Sequence, residues 1–173
     1  MEKDQVNFQS TEIFSLGNKN SKLHISLVSN PFCGYCKDAH RILDRLMKKY
    51  PENISAQIRF NYFEDNKKDE ELTDLISNFK TIWETKPGDE FLQSVENWFE
   101  KRTVQNSKST ETRDLSVIIK TAEENRDFGF TFTPLFLING YPFPEKYDRE
   151  DIFYFIDELL EDEEFENEKT PNS

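Results

Sequence analysis

The sequence predicts an α/β fold in which a strand–helix–strand unit opens the sheet, a hairpin closes it, and a long helical block lies between. Three observations predict this. Leu23, Ile25 and Leu27 alternate with other residues, as do Ile54, Ala56, Ile58, Phe60 and Tyr62, which is the period of a strand. Between those two runs, Ala39, Ile42, Leu43, Leu46, Met47 and Tyr50 recur at helical spacing. Further on, the apolar run "TPLFLI" leads into Asn139-Gly140, a strong hairpin turn.

Each element has its own start or stop. Pro31 ends the first strand and Pro51 the first helix. Two strands around one helix suggest a βαβ unit with a right-handed crossover. Residues 64–130 then keep helical period. Leu72, Leu75, Ile76, Phe79, Ile82 and Trp83 form one stripe, and Pro87-Gly88 breaks it. Phe91, Leu92, Val95, Trp98 and Phe99 form a second stripe, and Leu115, Ile118, Ile119 and Ala122 a third. The polar stretch "KRTVQNSKSTETR" between these two reads as a mobile loop. "TPLFLI" is apolar throughout, as a strand buried on both faces should be. The prolines of "YPFP" confine that short strand to a sheet edge or end. Asp148 with Asp151 marks a helix start, and Ile152, Phe153, Phe155, Ile156, Leu159 and Leu160 give a final amphipathic helix.

At 173 residues, with 16 Phe, six Tyr and two Trp, the chain suits one domain with a full core. No apolar run approaches the ~18 residues of a membrane span. The first residues, "MEKDQVNFQS", contain no signal-peptide h-region. The chain is therefore expected to be cytosolic, or a mature or excised piece of a longer protein. Net charge is -12, of which residues 157–169 supply -7 as a solvated helix end and frayed tail. So acidic a body argues against nucleic acid, whose phosphates need clustered Lys and Arg.

Both cysteines lie in "NPFCGYCKDAH", as Cys33 and Cys36. A bridge across so short a loop stabilises little, so a structural staple is a weak reading. A zinc or copper site would draw on Cys33, Cys36, His40 and His24, and His24 is poorly placed to reach. Apart from that use, His40 is expected on the helix surface and His24 as an ordinary strand residue. Redox chemistry fits the context better. A thiol between a strand end and a helix start meets free N–H groups and the positive end of the macrodipole, which favour the thiolate. Cys33 would then be the nucleophile, and Cys36, one turn on and more buried, the resolving thiol. Pro134 heads a strand that must lie centrally, where a proline fits at the first position and a cis bond would make a tight turn. An ordinary trans proline is the alternative.

"FCGYC" after the first strand, "TP" before the penultimate strand and "FLINGYPFP" as closing hairpin together resemble the thioredoxin superfamily, more closely its DsbA-like thiol–disulfide oxidoreductases. The sequence is also similar to thioredoxin-like domains that some bacteria fuse to a vitamin K epoxide reductase-like membrane protein. The resemblance implies a thioredoxin fold, a central mixed sheet flanked by helices, over residues 15–160, with a helical insertion at about 64–130. Residues 1–14 would be an N-terminal extension and 161–173 an acidic, disordered tail.

It further implies that Cys33 and Cys36 are catalytic, that Gly34 and Tyr35 tune the redox poise, and that Thr133 and a cis Pro134 face Cys33 and bind substrate by strand addition. No cofactor beyond the Cys33–Cys36 disulfide and no metal is implied. The implied partners are protein or peptide thiols and disulfides, with a membrane quinone-linked protein as a candidate redox partner. The implied location is extracytoplasmic or periplasmic, the cytoplasm being the alternative.

Three departures matter. Tyr35 stands where strong oxidants carry a His. Leu27 stands where relatives place a buried acid, and the helical block is shorter than in the longest relatives. Arg59 is expected to be solvated on the polar side of the second strand, or else near the cysteines. Phe32, Tyr35, Phe130, Phe132 and Tyr141 are expected to line an apolar surface. Oxidase and reductase or isomerase directions both stay open. The alternatives are a glutathione-linked reductase, since C-x-Y-C is similar to glutaredoxin motifs, and a non-enzymatic zinc- or copper-binding metallochaperone.

Overall fold

Alternation in the two early runs places one strand beside the other, and the helix between them makes that pairing parallel. In the computed structural model, β2 (Leu23–Ser29) and β3 (Ile54–Phe60) pair in parallel, joined through α1 (Cys36–Lys49). The structure describes residues 4–103, 114–144 and 148–169, with backbone alone for 162–169. β4 (Leu135–Ile138) runs antiparallel to β2 on its other side, and β5 (Tyr141–Pro142) closes that edge. A short β1 (Ser15–Gly17), which shows no strand signal in the sequence, pairs antiparallel with β3. The sheet is therefore mixed, in the order β1-β3-β2-β4-β5.

The helical block contains α2 (Glu70–Thr85), α3 (Gly88–Lys101) and α4 (Ser116–Asp127). The loop expected over 101–113 falls mostly outside the described residues. The helices follow the three predicted stripes, and Phe79, Phe91 and Ile118 are buried. Asp69 caps α2 by accepting from the Leu72 N–H at 3.1 Å. Asn139 and Gly140 have φ values of 50° and 81°, the left-handed pair that a two-residue hairpin turn requires. A Cβ at Gly140 would strike the Val6 carbonyl, so glycine also makes room for the N-terminal segment.

Residues 4–142 form one unit, and Phe143 begins a second, smaller one. In the second, a 3-10 turn (Arg149–Asp151) leads into α5 (Ile152–Lys169), and Phe143 meets Phe155 edge to face at 5.3 Å. The expected tail begins inside α5, and residues 170–173 lie outside the described residues.

The polar side of β3 is where the structure departs most from expectation. Alternation implies one wet face, yet every residue of β3 is buried. Arg59 is neither solvated nor engaged with the cysteines: its side chain is 1% exposed. It pairs with Glu124 at 2.6 Å, donates to Asn125 Oδ1 at 2.8 Å, and lies 3.5 Å from the Phe8 ring centroid. α4 covers this face, and so does the N-terminal segment. Ser10 donates to Glu124 at 2.6 Å, and the Val6 N–H reaches the Gly140 carbonyl at 2.7 Å. Residues 4–14 are thus a strap laid across the sheet, with Ile13 and Phe14 in the core.

A buried ion pair loses about 3–5 kcal/mol when one partner is removed, because the other charge stays behind unpaired. Glu124→Ala should therefore destabilise by about 3 kcal/mol in urea unfolding, while Arg59→Met with Glu124→Leu together should lose much less. Burial pushes the Glu124 carboxyl up, but hydrogen bonds from Ser10, the Gln9 N–H and Arg59 outweigh it and hold the carboxyl below its usual range. Its contribution is therefore present above the ordinary carboxylate value of ~4.3 and lost as pH falls through the lowered one. The double variant should lack that acid-side loss.

Candidate active site

Asn30 builds the turn that carries the cysteines. Its side chain accepts from the Phe32 N–H at 2.9 Å and its carbonyl from the Cys33 N–H at 3.0 Å. The Pro31 carbonyl is held from the insertion, by Trp98 Nε1 at 2.8 Å and Arg102 at 3.0 Å, both on or just after α3. Phe32 packs edge-on to the Trp98 ring at 6.1 Å. Neither Trp98 nor Arg102 has a local signal for this role, since both lie far along the sequence from the cysteines.

α1 begins at Cys36, so Cys33 sits just ahead of its first turn. Both cysteines are free thiols, Cys33 partly exposed and Cys36 fully buried. Partial burial pushes the Cys33 thiol up. Hydrogen bonds from the Thr133 side chain, from Cys36 and from the backbone N–H groups of Cys36 and Tyr35 outweigh it, and the thiol ends below its ordinary value. Cys36 goes the other way: burial pushes its thiol up to about 11. The two sulfurs are thus divided into an accessible thiolate former and a buried thiol behind it.

The facing loop comes from the far end of the chain. The Thr133–Pro134 peptide bond is cis, and the Cys33 thiol donates to the Thr133 carbonyl at 3.6 Å. Gly34 and Tyr35 are exposed between the cysteines, Tyr35 by 72%. Phe32 and Phe132 are also exposed, on the cysteine turn and on the loop before Thr133, and Tyr141 is exposed on β5. Phe130 is a correction to the expected apolar surface. It is buried in a cluster with Val28, Leu135 and Leu137, against which Val6 and Phe8 of the strap pack.

The histidines also differ from expectation. His40 is not on the helix surface: it is 3% exposed, stacked on Phe99 at 4.5 Å, and its Nε2 lies 2.7 Å from Ser29 Oγ. α3 of the insertion covers that face of α1, which helical periodicity alone does not reveal. His24 has its Nδ1 on Ser55 at 2.8 Å and its Nε2 3.7 Å from Glu12. The two histidines are therefore engaged separately. Among the described residues no three His, Cys, Asp or Glu side chains gather as a metal would need.

Solved structures share this architecture. A periplasmic thioredoxin-like protein from Salmonella enterica serovar Typhimurium matches at TM-score 0.63 and 22% identity, covering 84% of this chain and 88% of its own. BdbD from Bacillus subtilis in its oxidised form matches at TM-score 0.66 and 16% identity, covering 92% of this chain and 100% of its own. ScsC from Proteus mirabilis, in a transitional conformation, matches at 0.63 and 19%, covering 86% and 71%. At these identities the likeness shows the thioredoxin fold, here with its helical insertion. No curated protein sequence matches the chain. A family model described as thioredoxin matches residues 9–158. That match runs from the N-terminal strap into the last helix and takes in every strand of the sheet: the chain belongs to the thioredoxin family.

Proposed function

We propose that the protein is a thiol–disulfide oxidoreductase that exchanges disulfides with protein substrates through Cys33 and Cys36. The observation that carries this reading is the opposite treatment of the two thiols, one exposed and lowered, the other buried and raised. That division supports a two-step exchange. The Cys33 thiolate attacks one sulfur of a substrate disulfide, the other substrate sulfur leaves with the electron pair, and a mixed disulfide forms. Cys36, as thiolate, then attacks the Cys33 sulfur, the Cys33–substrate bond breaks, and the second substrate thiolate departs. The reverse sequence oxidises a substrate dithiol.

A substrate sulfur approaching Cys33 must pass the Thr133 backbone, so Thr133 and Pro134 are the proposed binding edge for an extended segment. Phe32, Tyr35 and Phe132 supply exposed apolar surface suited to an unfolded chain. Gly34 and Tyr35 are the proposed tuning pair. No cofactor besides the cysteine pair enters the reading. A place outside the cytosol, as for the Salmonella periplasmic protein, is part of the proposal.

Cys36→Ser should accumulate a mixed disulfide with a disulfide-bearing peptide, visible by mass spectrometry, whereas Cys33→Ser should form none. Failure of Cys36→Ser to trap any substrate would refute the reading. Because its thiol is lowered, Cys33 should alkylate at a pH where free cysteine, of pKa ~8.5, is still protonated. Cys36 should stay unreactive until far higher pH, and equal reactivity of both would overturn the division of roles. Equilibration with glutathione buffers fixes the direction: about -270 mV marks a reductant and about -120 mV an oxidant.

A further inference from the structure

Resolution requires a charge at the most buried sulfur of the site. Cys36 is fully buried, and besides burial the groups that act on its thiol are the Asn30 backbone and the side chains of Cys33, Ser29 and Thr133. None of these is a carboxylate or a cation. Leu27, on β2, is fully buried and offers no proton-binding group. One of the four groups leads further. Ser29 Oγ also lies 2.7 Å from His40 Nε2, and His40 stands about one helical turn after Cys36, both buried on α1, so Cys36, Ser29 and His40 form one buried cluster.

The direction of the Ser29–His40 hydrogen bond follows from the far side of the imidazole. His40 Nδ1 is buried without a hydrogen-bond partner. A bare lone pair is tolerated in such a place better than a bare N–H. That places the proton on Nε2, which donates to Ser29 Oγ, and leaves the Ser29 hydroxyl hydrogen available for the Cys36 sulfur. Phe99 and Phe60 both stack against the ring, at 4.5 and 6.1 Å between centroids. Burial alone holds the imidazole neutral, its pKa lowered to about 3, with no charged neighbour contributing. The Asn61 N–H donates to the Ser29 carbonyl at 2.9 Å and fixes the serine from β3's end.

We propose that Ser29 and His40 are positioning residues for the resolving step, a neutral donor chain that holds the Cys36 sulfur as it becomes a thiolate. The inference rests on the oxidoreductase reading above and deepens it. During resolution Cys36 gives its proton to water and attacks the Cys33 sulfur. The Cys33–substrate bond breaks, the electron pair goes to the substrate sulfur, and that departing thiolate takes up a proton from water. His40 and Ser29 change no net charge in the step. His40 orients Ser29 and Ser29 donates to the sulfur, a charge-assisted hydrogen bond that strengthens as the thiolate forms.

The test separates the two chemical steps by rapid mixing with a disulfide peptide, following mixed-disulfide formation and its decay. Ser29→Ala and His40→Phe should each slow the decay about tenfold, the loss of one charge-assisted hydrogen bond, while formation keeps its wild-type rate. Both should raise the pH at which Cys36 alkylates and leave that of Cys33 in place. His40→Gln, whose amide can donate toward Ser29, should recover most of the rate. Ser29→Ala with His40→Phe should be no slower than Ser29→Ala alone, as members of one chain are not additive. Wild-type decay rates in both single variants, or equal slowing of both steps, would overturn the proposal. Should His40→Phe fail to fold, Ser29→Ala decides alone, being smaller by a single oxygen. If the wild type forms no mixed disulfide, the oxidoreductase reading fails, and the alkylation pH of Cys36 in Ser29→Ala still judges the chain.

Discussion

The carbonyl of Pro31 accepts two hydrogen bonds, from α3 and from the residue just after it, and the geometry of the site depends on them. Trp98 Nε1 at 2.8 Å and Arg102 at 3.0 Å hold the turn between β2 and α1 against α3. Pro31 lies two residues past the end of β2, where its carbonyl has no partner in the sheet, and such a group must be satisfied elsewhere. Here the insertion satisfies it. The helical block thus does more than enlarge the domain: it fixes where α1 starts and where the Cys33 sulfur meets the first N–H groups. The same helix supplies Phe99, which covers His40. A single packed helix therefore sets both the exposed and the buried side of the cysteine pair.

Burial acts on the two thiols with the same sign and is opposed unequally. Both are raised by loss of water. At Cys33 the opposing hydrogen bonds win, because the thiol lies at a helix start beside Thr133. At Cys36 they do not, and the thiol stays protonated far above neutrality. The difference comes from position along one turn of helix, which is why three residues of spacing suffice to give two identical side chains different chemistry.

Much of this was legible in the sequence, because local signals determine it. Alternation in Leu23, Ile25 and Leu27, helical stripes over residues 64–130 and the Asn139-Gly140 turn each act within a few residues. The cysteine spacing and Pro134 marked the turn and the facing loop for the same reason. What escaped depends on what a distant segment covers. Arg59 reads as solvated because its strand alternates, and it is buried because α4 and residues 4–14 close over that face. His40 reads as a surface residue until α3 is laid over it. Phe130 reads as exposed until Phe8 of the strap arrives beside it. β1 has only three residues, too few for periodicity to mark.

The strap, the cysteine turn and the facing loop are joined by contacts of very long sequence separation. Gln5 reaches the Asn139 carbonyl across 134 positions, Ser10 reaches Glu124 across 114, and Cys33 reaches Thr133 across 100. Such contacts repay the entropy of closing a long loop only once both ends exist, so topology of this kind folds slowly. During synthesis Cys33 emerges about a hundred residues before the loop that faces it. For that interval its sulfur is an ordinary thiol on an unfinished chain, open to the wrong partners. Only when the last strands close the sheet does the Thr133 carbonyl stand against that sulfur.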